Sequence, residues 1–414
     1  MSLAEFPLLV ALVGLTAYAV LAGADFGAGF WTLFAGRARA EEVREHAHRA
    51  LAPVWEANHV WLVFVLVIVW TAYPAVFGAL ASTLAVPLFI AAVGIILRGS
   101  TYVLRSAAGT SRLGARADVV FALASILTPF ALGTAVGGIA SGRVPEGNAA
   151  GDLLTSWLNP TSVFAGVVAV VTGAYLAAVY LAADASRTGR RELAEAFRLR
   201  ALAAGVAAGT VAAAGLGVVY WDARSLWDGL VGGVGVVAVV ASGAAGAATL
   251  ALVTVRRYEP ARATAAVAVA AVVAGWALAQ RPFVLPPRLT IEEAAAGRAT
   301  LVAVAVAAAI AAVVLVPSLW LLYTLVLRGR FDAAPSEAAE PSPERAALGA
   351  PARDRTPGGR RAVAAAGAAF VVGSALTAFA GAGWLRALGI AALLVFLAGG
   401  FMLLARPPDP RARE

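Results

Sequence analysis

Apolar runs long enough to cross a bilayer recur along the chain, with short polar breaks between them. They cover about 6–34, 54–76, 79–98, 118–141, 161–183, 201–220, 229–254, 263–280, 300–327, 362–381 and 384–405, which makes about eleven spans. Crossing the hydrocarbon takes ~20 residues at a rise of 1.5 Å each. Inside it each backbone N–H and C=O must find a partner within its own segment, which selects helices. The second run is polar at its start, from Trp55 to Trp61, but Val60 to Trp70 is apolar enough to carry it across. Most connections are short and favour antiparallel neighbours in up-down bundles. Two are longer. Residues 142–160 read as an outer loop, and residues 328–361, rich in Pro, Ala, Glu and Arg, read as a flexible linker. The pattern predicts an all-α polytopic membrane protein in three parts: a nine-span domain over 1–328, a linker over 329–361 and a two-span appendage over 362–414.

The basic residues orient these spans. Arg37, Arg39, Arg44 and Arg49 lie in the first connection, and Arg98, Arg105, Arg112 and Arg116 in the third. Five arginines from Arg187 to Arg200 lie in the fifth, Arg256, Arg257 and Arg262 in the seventh, and seven from Arg328 to Arg361 in the ninth. The even connections are poor in arginine, with Arg143 in the fourth and Arg224 in the sixth. The eighth is the exception, where Arg281, Arg288 and Arg298 are offset by Glu292 and Glu293. Basic loops mark the cytoplasmic side, so the alternation predicts an outer N-terminus and a cytoplasmic C-terminus. The first run is longer than a signal-peptide core and lacks a basic start, so it reads as a retained span.

Composition agrees with the membrane reading. The chain is 61% hydrophobic and 14% charged, with a mean hydropathy of +0.83; soluble domains carry about 25% charged residues. The formal charge of +8 comes from loop arginines and is no sign of nucleic-acid binding. The chain has no cysteine, which excludes disulfides and thiolate chemistry. No phosphate loop of the Walker type is present.

Against that apolar background the chemistry-bearing side chains stand out. Within the spans Asp25 is the one carboxylate well away from an end. A carboxylate at that depth costs ~2.5–3.5 kcal/mol even on the lenient insertion scale, so it must face protein or water. A structural hydrogen bond to a neighbouring helix and a functional role are both open on this ground. Gly23 and Gly27 are spaced as small-xxx-small, and Asp25 and Gly29 share that spacing, so the segment is built for a close helix contact. Glu56 starts the second span, and His59 follows it at i+3, where the two can touch. His46 and His48 sit among Arg44 and Arg49 in a connection expected to be wet, so both are expected to be solvated. No histidine pair is placed to hold a haem within the membrane.

These stretches resemble a known family. Gly23-Ala-Asp25-Phe-Gly27-Ala-Gly29, followed by Pro53-Val-Trp55-Glu56-Ala-Asn58-His59-Val-Trp61, is similar to subunit II of the cytochrome bd quinol oxidases. Two further stretches match in order and spacing: Gly275 to Ile291, through Gln280, Pro282, Pro286 and Pro287, and Pro317-Ser-Leu-Trp320-Leu-Leu-Tyr323. The resemblance covers about residues 1–328. It implies two four-helix bundles plus a peripheral helix, in a bacterial cell membrane, with the last two spans outside the family pattern. It implies a subunit with no haem of its own, partnered with a subunit I whose haems b and d take electrons from quinol and reduce dioxygen to water. It also implies a cytoplasmic proton path through Asp25 and Glu56, joined by His59, with Gly23, Gly27, Gly29, Trp55, Asn58 and Trp61 as structural motif residues. The family's common residue is Asp where Glu56 stands and Glu where His59 stands; imidazole can still relay protons near neutral pH. A proton-coupled transporter, which also uses a buried acid, is the alternative; it predicts broken helices in matching halves, and no convincing pair is seen.

Overall fold

The fold comes from a computed structural model, which describes residues 2–35, 40–51, 55–108, 112–327, 388 and 391. The chain divides into two units, Met1–Ala333 and Ala334–Glu414. In the second unit Leu388 and Ala391 are helical. The linker predicted over 329–361 and the two spans predicted over 362–405 otherwise lie outside the described residues.

The first unit is helical throughout its spans. In chain order the helices are α1 (Glu5–Leu33), α2 (Ala40–Leu51), α3 (Trp55–Ala72), α4 (Pro74–Thr83), α5 (Ala85–Ala108), α6 (Arg112–Ala140), α7 (Pro160–Arg187), α8 (Arg191–Asp222), α9 (Arg224–Val231), α10 (Gly235–Thr254), α11 (Tyr258–Gln280), α12 (Ile291–Ala294) and α13 (Arg298–Leu327). Between α11 and α12 a small antiparallel hairpin joins β1 (Phe283–Leu285) to β2 (Leu289–Thr290). Among the described residues seven helices are each long and apolar enough to cross a membrane, α4 with α5 makes a bent eighth, and Asn58–Ala72 is a shorter apolar stretch of α3.

The break after the second predicted run differs from the expected one. The chain interrupts its helix at Tyr73 and starts α4 at Pro74, then bends by 82° into α5. Proline lacks the N–H that a continuing helix would need, but its fixed φ suits a first helical position. Local signals set other ends. Asn159 caps α7 by accepting from the Ser162 N–H at 2.9 Å, with Pro160 as the first helical residue. Thr290 and Glu293 form a capping box on α12.

α1, α6 and α7 pack on one another at the centre. Around them α3 lies on α1, α5 on α6, α8 on α7, and the pair α10 and α11 beside α8 and α7, with α13 at the edge against α3 and α1. Lipid is as apolar as a leucine side chain, so helix association here rests on close packing and polar contacts rather than on the hydrophobic effect. A Cβ at Gly27 would lie 1.9 Å from the Gly173 carbonyl oxygen, so α1 and α7 cross backbone to backbone.

α2 corrects the expectation of a solvated His46. It is amphipathic, and Val43, His46 and Ala47 are buried on one face. The His46 ring nitrogen Nε2 lies 3.1 Å from the Leu181 carbonyl oxygen, and the ring packs on Phe197. The i, i+3, i+4 spacing makes one stripe, and that stripe docks on α7. The side chain of His48 lies outside the described residues.

Candidate functional site

Where α1 meets α5 and α6, Asp25 is completely buried and Arg98 is 2% exposed. Arg98 Nη1 donates to Asp25 Oδ2 at 2.5 Å and Nη2 to Oδ1 at 2.6 Å. Nη2 also donates to the Asp25 backbone carbonyl at 2.9 Å, and Nε to the Ser125 hydroxyl at 3.1 Å. Ser125 in turn donates to the Phe121 carbonyl of its own helix at 2.7 Å. The guanidinium stands over the rings of Phe26 at 4.9 Å and Phe121 at 4.8 Å. Burying one such charge alone would be costly; a two-pronged pair whose remaining donors are also taken is the arrangement that offsets the desolvation. Room for it depends on Gly29, where a Cβ would meet Ser125 Oγ at 2.1 Å.

α3 closes the other side. Asn58, 1% exposed, donates from Nδ2 to the Leu21 carbonyl at 3.4 Å. The His59 ring lies between two rungs of α1, with ring centres 6.1 Å from Tyr18 and 6.0 Å from Phe26. Trp61 packs beside the cluster of Tyr18, Ala22 and Phe26. Trp55 and Glu56 begin α3 as helical residues, but their side chains lie outside the described residues.

A family model described as cytochrome bd terminal oxidase subunit II matches residues 3–326. The chain belongs to this family. The chain is 30% identical over 171 residues to cytochrome bd-I ubiquinol oxidase subunit 2 of Escherichia coli (strain K12), a match covering 38% of this chain and 43% of that relative. The alignment thus spans less than half the length of the curated relative. The fold resembles the solved bd oxidase from Geobacillus thermodenitrificans, with a TM-score of 0.62 at 26% identity, covering 79% of this chain and 99% of that one.

In this subunit II the structure brings Asp25, Asn58, His59 and Trp61 into one neighbourhood, with Gly27 and Gly29 allowing the close approaches. Gly23 belongs to the same crossing, since a Cβ on Gly173 would lie 2.9 Å from the Gly23 oxygen. Sequence reasoning missed Arg98, Ser125 and Tyr18. Arg98 was counted with the loop arginines, whereas it lies inside α5 and reaches inward. A signal was there: an intramembrane carboxylate calls for a cation at similar depth, and Arg98 ends the apolar run from Ala85 to Leu97. Among the described residues, the histidine side chains are engaged in helix packing and no cluster of His, Cys, Asp and Glu forms a metal site.

Proposed function

We propose that this chain is the haem-free second subunit of a bd-type quinol oxidase. It braces a haem-bearing subunit I, which oxidises quinol with haems b and d and reduces dioxygen to water, and it contributes a cytoplasmic proton path. The family match over 3–326 and the likeness to a solved bd oxidase chain support the complex. The arginine alternation supports an inner-membrane orientation with the C-terminus in the cytoplasm.

The observation that carries the path is a completely buried carboxylate in the first span, held beside the imidazole-bearing start of α3. Glu56, at the first turn of α3, is the entry. His59, one turn on, is the relay. Asp25 belongs to the path as the carboxylate that fixes Arg98 beside it, both of its oxygens accepting from the guanidinium. Quinol-driven oxygen uptake per haem in the assembled oxidase tests this. Glu56→Gln slows turnover at normal haem content, Glu56→Asp, which restores the common family residue, stays near wild type, and Asp25→Asn slows turnover and also lowers stability, because it leaves the buried Arg98 cation unpaired. Wild-type turnover in both Glu56→Gln and Asp25→Asn would end the proton-path reading and leave a structural subunit.

A further inference from the structure

We propose that Tyr18 is a proton-relay residue of this subunit, accepting protons from His59 and passing them away from the Glu56 end of the path. The inference rests on the proton-path reading above and extends it by one residue. Tyr18 is 6% exposed, and its hydroxyl has no hydrogen-bond partner among the described residues. An unpaired buried hydroxyl is costly, because it gives up its hydrogen bonds to water and regains none. Phenylalanine would fill the same space without that cost, so packing does not account for the oxygen.

Position gives it a task. Tyr18, Ala22 and Phe26 follow one another at i+4 along α1, and His59 lies against Tyr18 and Phe26. α3 runs antiparallel to α1, so Glu56, His59 and Tyr18 follow one another along the helix pair. The His59 and Tyr18 ring centres are 6.1 Å apart, so the imidazole and the phenol are packing neighbours across the α1–α3 contact. The charged groups facing Tyr18 are Asp25 and Arg98, which are locked on each other. Among the described residues at this contact, His59 and Tyr18 are the remaining groups that can carry a proton. In the step, an imidazolium N–H of His59 gives its proton to the phenol oxygen while the phenol O–H gives its own proton to a water molecule on the side away from Glu56, which carries it off as hydronium. Both rings end neutral, and no electron moves.

The test uses the assembled oxidase with Tyr18→Phe beside Glu56→Gln, read as oxygen uptake per haem, solvent deuterium isotope effect and thermal stability. Tyr18→Phe is expected to lower turnover about tenfold or more, to raise the isotope effect, and to leave haem content and stability unchanged. Normal turnover in Tyr18→Phe with a slowed Glu56→Gln overturns this inference alone. Normal turnover in both overturns the proton path as well. A loss of turnover that tracks a loss of haem makes Tyr18 a packing residue and also overturns the inference.

Discussion

Asp25 and Arg98 illustrate how differently two members of one pair announce themselves. A carboxylate inside an apolar run has no innocent explanation, so Asp25 stands out in the sequence. An arginine at the end of such a run looks like any other loop arginine, because a long side chain there can equally snorkel to the interface. Only the packing of α5 on α6 turns Arg98 inward, onto Asp25 and Ser125. The pair makes an asymmetric prediction. Arg98→Met leaves a buried carboxylate unpaired and is expected to destabilise the protein by ~3–5 kcal/mol. Arg98→Lys recovers little, since an ammonium cannot serve both carboxylate oxygens and the Asp25 carbonyl in one plane. The double variant Asp25→Asn/Arg98→Met recovers most of the stability, because it removes both charges together. Thermal unfolding of the four proteins checks the order.

The helices owe their contacts to small residues as much as to apolar ones. Gly23, Gly27 and Gly29 share one stretch of α1, but the structure assigns them different neighbours. Gly27 faces the α7 backbone at Gly173, Gly29 faces Ser125, and a Cβ at Gly23 would stand 3.4 Å from Leu176 Cδ1, an ordinary contact. Gly23→Ala is therefore expected to be tolerated. Gly27→Ala forces α1 and α7 apart, at a cost at or above the ~1–3 kcal/mol of ordinary overpacking, because a carbonyl cannot step aside as a side-chain tip can. Detergent stability of the two variants separates them. The glycine spacing was legible as a close helix contact; which glycine bears it was not, since rotation about the helix axis is settled by the partner. α2 makes the same point from the other side: its buried stripe was present in the sequence, but the charges around it masked His46 as a loop residue.

Across the whole molecule, the ends of the helices are tied by polar contacts between distant segments. Arg143 makes a two-pronged pair with Asp222, at 3.1 and 2.7 Å, and Asp222 also accepts from the Thr161 N–H and hydroxyl at the start of α7. Arg281 pairs with Glu5 across the length of the domain, and the Tyr73 hydroxyl donates to the Ala4 carbonyl. These ties all lie within the first unit and within the stretch that the family model matches, residues 3–326. Truncation after about residue 330 is therefore expected to leave a folded subunit that still co-purifies with the proposed subunit I. Failure of the truncated chain to co-purify would make residues 331–414 part of the assembly. Reporter fusions after residues 150 and 345 of the full chain are expected to read outside and inside.

What the linear chain decided is the part governed by solvent. The apolar runs of residues 1–328 fall on helices, although the second and third are divided differently among α3, α4 and α5, because a bilayer tests length and polarity one segment at a time, without reference to neighbours. Depth works the same way, which is why Asp25 was a candidate before any partner was known. Pairing is different. That Arg98 rather than water meets Asp25, that His59 lies against Tyr18, and that Gly27 meets Gly173 all depend on rotations and crossings of whole helices. Those are chosen by many small contacts acting together, each far apart in sequence, and no local stretch of the chain contains them.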